Sequence, residues 1–101
     1  MSEPNVSKLR ARRKALLSEI GAHPGFVRGS LIRTTRAGKD GARREFCFLS
    51  RRIDGVNHST YVTPEQLRTF EMATKLYRRT AALIEKVCAI NIQIVRSGAK
   101  P

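Results

Sequence analysis

From Thr63 to Arg96 the chain carries one proline, at Pro64, and no glycine, and no other stretch restricts the fold as strongly. Thr63 stands as an N-cap whose hydroxyl accepts from the third amide, Pro64 fills the first helical position, and Gln66 holds the capping-box position. Apolar or small residues then recur in steps of three and four, at Leu67, Phe70, Thr74, Tyr77, Ala81, Ile84, Cys88, Asn91 and Val95, a heptad spacing. A second stripe runs beside it through Ala73, Leu76, Thr80, Leu83, Val87, Ile90 and Ile94, while Arg68, Glu71, Lys75, Arg78, Arg79, Glu85 and Lys86 occupy a solvated face. At about 1.5 Å per residue such a helix is roughly 50 Å long, wider than a globule of this length. Part of it is therefore expected to project or to pair with another chain. The expected homodimer seam is Tyr77, Ala81, Ile84, Cys88, Asn91 and Val95, with Asn91 setting register as a buried Asn does in coiled coils. Packing of the helix on its own sheet and first helix is the alternative.

Ahead of this element, residues 1–4 are expected to form a disordered tail. Val6, Leu9, Leu16, Leu17 and Ile20 mark a first helix from Asn5 to Ile20, with Gly21 as its stop and Pro24-Gly25 as a turn. Three strands are expected next. Phe26 to Arg36 and Glu45 to Ile53 flank a loop containing Gly38 and Gly41, and Val56 to Val62 follows the Asp54-Gly55 hairpin turn. Connections this short give an antiparallel meander, which packs one face on the long helix. Alternation puts Phe46 and Phe48 on one side of the second strand and Cys47, Leu49 and Arg51 on the other, and the phenylalanines are expected in the core. Gly29 marks a bulge or a close backbone approach. The fold class is α+β: an N-terminal helix, a three-stranded antiparallel β-meander and a long C-terminal helix. One domain is expected over residues 5–97, with residues 98–101 frayed.

Charge decides which function classes to weigh. The formal net charge is +12, from 20 basic and 8 acidic side chains, which points to a polyanionic partner. Between Arg28 and Arg52 the sheet carries Arg28, Arg33, Arg36, Lys39, Arg43, Arg44, Arg51 and Arg52 against only Asp40 and Glu45. A guanidinium fork suits bidentate contacts to phosphate and guanine edges, and Asn57 and His58, with Ser59 and Thr60, add neutral polar groups. A second basic cluster, Lys8, Arg10, Arg12, Arg13 and Lys14, lies on the first helix. Its alternative reading is a solvated outer face.

Other chemistries find little support. Cys47 and Cys88 lie in apolar stretches and are expected in the core. With His23 and His58 they match the ligand count of a zinc site but lack its close paired spacing, so no metal or other cofactor is expected. No acid–base pair, nucleophile or phosphate-binding glycine loop is assembled, so an enzyme is not expected. No run of 18 apolar residues appears, and the N-terminus lacks the apolar stretch of a signal peptide. The expectation is therefore a cytoplasmic protein with no membrane partner.

Arg28-Gly29-Ser30-Leu31-Ile32, the Gly38-Lys39 loop, Phe48-Leu49-Ser50-Arg51 and Tyr61-Val62-Thr63-Pro64 resemble the landmarks of an uncharacterised family of small basic prokaryotic proteins encoded near transposases and other mobile elements. The resemblance covers roughly residues 26 to 95. Ala37 and Ala42 stand where the family carries loop cysteines, so no metal site carries over. A looser likeness of architecture joins the chain to helix-backed three-stranded sheets that read DNA. The resulting expectation is an accessory protein of a mobile element that binds nucleic acid, double-stranded DNA in preference to RNA, through its arginine-rich sheet. It would act as a homodimer or within a larger nucleoprotein complex. Two alternatives are an RNA or single-strand binder that stacks bases on Phe26, Phe48 or Tyr61, and an interaction or inhibitor protein that docks on an acidic partner.

Overall fold

A computed structural model describes residues 5–101; the tail expected at residues 1–4 lies outside them. The elements run α1 (Val6–Ala22), β1 (Ser30–Ala37), β2 (Arg43–Ile53), β3 (Val56–Val62) and α2 (Leu67–Arg96), the expected α+β order. By contacts the chain divides into two compact units. One joins its N-terminal residues through Gly25 to Arg78–Pro101, and the other spans Phe26–Tyr77. Helix α2 thus contributes its first turns to one unit and the rest to the other.

In the helical unit, Asn5 caps α1: its side-chain oxygen accepts from the Ser7 and Lys8 amides at 3.0 and 3.4 Å. Gly21 does not stop the helix, which closes when the His23 amide donates to the Ile20 carbonyl at 3.2 Å. Leu9, Ile90 and Ile94 form the buried core, with Val6, Leu16 and Ala99 packed on it. Arg10 donates to the Lys100 carbonyl, Arg13 to the Asn91 side-chain oxygen at 2.8 Å, and Arg79 to Glu19 at 2.6 Å. Partner numbers fall as α1 numbers rise, so the two helical segments run antiparallel. The end of α2 does not fray. Gly98 takes a φ of 92°, its amide donates to the Val95 carbonyl, and the Ala99 amide donates to that of Ile94. This is a Schellman cap, in which a left-handed glycine satisfies the last carbonyls and its successor makes an apolar contact back onto the helix.

In the sheet unit the strand order is β1-β2-β3, both pairs antiparallel. Asp54 and Gly55 carry φ values of 51° and 79°, the left-handed pair required by the two-residue turn whose twist matches a hairpin. Cys47, Leu49 and Val62 are the buried core, with Val27, Leu31, Leu67 and Phe70 packed against them. The phenylalanine expectation is thus reversed: Phe46 and Phe48 are half-buried on the other face. The cause is register. Leu31 lies opposite Leu49 and Val62 opposite Cys47, so this face offers small and aliphatic groups on all three strands for Leu67 and Phe70 to cover, while the bulkier aromatics fall on the other. Gly29 does mark a close approach, since a Cβ there would lie 2.7 Å from Leu49 Cδ1. The N-terminal end of α2 starts later than expected. The third amide, that of Gln66, donates to the carbonyl of Thr63 rather than to its hydroxyl, while the Gln66 side chain reaches back to the Thr63 amide at 3.3 Å. Residues 64–66 form a turn, and the helix proper begins at Leu67.

Candidate nucleic-acid interface

Side chains directly opposite one another in a sheet share a face, so the two registers sort the basic residues. One face of the sheet carries Ile32, Thr34 and Arg36 on β1, Arg44, Phe46, Phe48, Ser50 and Arg52 on β2, and Asn57, Ser59 and Tyr61 on β3. No strand position on it bears a carboxylate. The opposite face, partly covered within this unit by Leu67 and Phe70 of α2, carries Arg33, Arg43, Arg51 and His58. The arginines expected to act together are therefore divided.

Several of those on the helix side are also engaged. Arg33 donates to Glu71 at 2.8 Å and stands 3.9 Å from Glu45. Glu71, expected on the solvated helix face, thus serves the sheet instead. The Arg51 Nε is covered and has no hydrogen-bond partner. Arg28 precedes β1 and donates to the Arg52 carbonyl at 2.9 Å, which ties down the end of β2. Arg43 is exposed but points away from Arg44.

The open face has an aromatic centre. Tyr61 lies directly across from Phe48, with ring centroids 5.9 Å apart in an edge-on arrangement, and 6.5 Å from Phe46. Its side chain is 50% exposed, and that of Ile32 beside Phe48 is 46% exposed. Arg52 and Asn57 form a directly opposed pair at one end, and Arg36 and Arg44 form another at the other. Lys39 lies in the β1–β2 loop, and with Arg36, Asp40, Arg44 and Phe46 it lines a hollow of about 450 Å³. Of the three aromatics proposed for stacking, Phe26 is elsewhere: its ring packs near Tyr77, 6.3 Å between centroids.

The aromatic trio was not expected as a unit, yet a signal for it exists. Counting outward from the two-residue turn at Asp54-Gly55 pairs Ile53 with Val56 and, five steps later, Phe48 with Tyr61.

The second basic cluster is also divided. Arg10 and Arg13 bond within the helical unit, while Lys8, Arg12 and Lys14 are exposed. The expected dimer seam splits as well. Tyr77 packs near Phe26 and Asn91 accepts from Arg13, whereas Ile84, Cys88 and Val95 face outward and Ala81 is half-buried. The buried stripe is the second one, with Thr80, Leu83, Ile90 and Ile94 all covered. Cys88 is thus exposed rather than part of the core, and only Cys47 is buried.

Among the described residues no three His, Cys, Asp or Glu side chains converge as metal ligands, and no helix is long and apolar enough to cross a membrane. Comparison with protein-family models, curated proteins and solved structures finds no match.

Proposed function

We propose that the chain binds nucleic acid through the open face of its sheet and prefers single strands to duplex. The carrying observation is the centre of that face: Phe46, Phe48 and Tyr61 cluster between the Arg36–Arg44 pair at one end and the Arg52–Asn57 pair at the other, with no carboxylate at any of its strand positions. Bases stack on aromatic rings whatever their sequence, at about 1–3 kcal/mol per base, and cationic groups follow the backbone. In a duplex the base faces are already stacked on one another, so a groove-reading sheet needs polar groups at its centre. Here the polar groups sit toward the rim.

The dimer proposal rests on α2. Ile84, Cys88 and Val95 continue the heptad spacing on an exposed face of the helix, where a second copy of the same seam would cover them.

The test is fluorescence anisotropy with labelled single-stranded DNA, single-stranded RNA and duplex DNA of equal length at two salt concentrations. Tighter single-strand binding that survives near 0.15 M salt supports the proposal. Equal or tighter duplex binding would restore the DNA-groove reading. Loss of all three would turn attention to an acidic protein partner.

A further inference from the structure

The hollow beside the β1–β2 loop carries a feature that neither strand pairing nor stability explains. Arg36 and Arg44 lie directly opposite one another on the same face, an arrangement of like charges that destabilises a sheet unless something lies between them. Lys39 joins them in lining the same space. Among the described residues Asp40 is the one acid lining it. It stands 3.9 Å from Arg44, and its other carboxylate oxygen accepts from the Ala42 amide at 3.2 Å, so it is also occupied in shaping the loop. Three cations against one carboxylate leave a surplus of two positive charges around about 450 Å³. Phe46 forms one wall, and its ring leads to Tyr61.

An anion with an attached flat ring fits this combination. We infer that the hollow seats one backbone phosphate of a single strand between Arg36 and Arg44, with the adjoining base stacked on Phe46. The inference rests on the nucleic-acid reading and adds to it a place and an orientation: the strand crosses the sheet from the loop end toward Tyr61. Lys39 closes the seat from the loop as a mobile point charge, while the two guanidinium groups grip the phosphate from opposite strands.

The experiment is a titration of the full chain, followed by backbone amide NMR and by anisotropy, with three probes: inorganic phosphate, thymidine monophosphate and an oligothymidine strand. With the strand, the amides of residues 38–46 are expected to shift and saturate, and phosphate alone is expected to bind too weakly to saturate. Arg36→Gln with Arg44→Gln should weaken strand binding by about tenfold or more and reduce the log-log salt slope by about 0.7, the value for one phosphate on a single strand. Phe46→Leu should weaken binding by about tenfold with the slope unchanged. Arg68→Gln with Lys75→Gln, which removes the same charge from α2, should leave both quantities as they were. Strand binding that keeps its slope in the Arg36/Arg44 variant would overturn the seat while leaving the nucleic-acid reading standing. Equal saturation by free thymidine monophosphate would replace the strand by a mononucleotide. Absence of strand binding in the unaltered chain would remove the reading itself.

Discussion

Tyr61 is the residue on which the open face turns, because it is half exposed and touches both phenylalanines. Tyr61→Ser is expected to weaken single-strand binding by about tenfold, as loss of one stacking base does, and to change duplex binding far less; parallel anisotropy titrations check this. Arg51 illustrates the opposite case. It sits next to Arg52 in sequence, but alternation turns it to the helix side, where its Nε is covered without a partner. A buried donor left unsatisfied costs about 1–3 kcal/mol. Arg51→Met should therefore raise the urea midpoint and leave strand binding unchanged, whereas a fall in both would show that the guanidinium takes part in binding. Alternation in the sequence already sets the two arginines on opposite sides of the strand. Only the packing of Leu67 and Phe70 decides which side is covered.

The ends of elements show how far local signals reach. The Asp54-Gly55 turn acts through its immediate neighbours and was legible because its backbone geometry involves only two adjacent residues; the Asn5 cap is as local, but Asn5 was expected inside the helix rather than capping it. The start of α2 was legible in kind and misplaced in detail, since Gln66 reaches back as a capping box requires while Thr63 offers its carbonyl instead of its hydroxyl. The end of α2 was missed. Gly98 reads as a fraying residue until Ala99 is seen to pack on the Ile90–Ile94 core. Gly98→Ala places a Cβ in a left-handed conformation and should destabilise the chain by about 1 kcal/mol, measured by chemical denaturation. A change near zero would mean the cap is dispensable. The two stripes of α2 have nearly equal apolar character, so the choice of which one to bury depended on what α1 presents to it.

For the protein as a whole, charge sets the expected salt response. Five phosphate contacts on a duplex correspond to a log-log slope near −4 to −5, but the division of the arginines over two faces leaves three arginines, Arg36, Arg44 and Arg52, at the strand positions of the open face. On a single strand that gives a slope of about −2, which anisotropy over a range of salt concentrations measures. A slope near −5 would bring the α1 cluster or Arg43 into the interface. The exposed seam on α2 makes the second prediction of this kind. Sedimentation velocity should find two copies in the unaltered chain and one after Ile84→Glu with Val95→Glu; a single copy before substitution would leave the seam to another partner.

The order of elements, the hairpin turn, the antiparallel meander and the basic character of the sheet were all determined by the sequence, because each depends on period, short connections or composition. Tertiary structure decided which face of the sheet is buried, which arginines lie on the uncovered face, which stripe of α2 is covered and that Phe46, Phe48 and Tyr61 meet. Each of those is a choice between two faces that a single strand or helix presents almost equally. Such a choice is made only when a second element, with its own register, covers one of them.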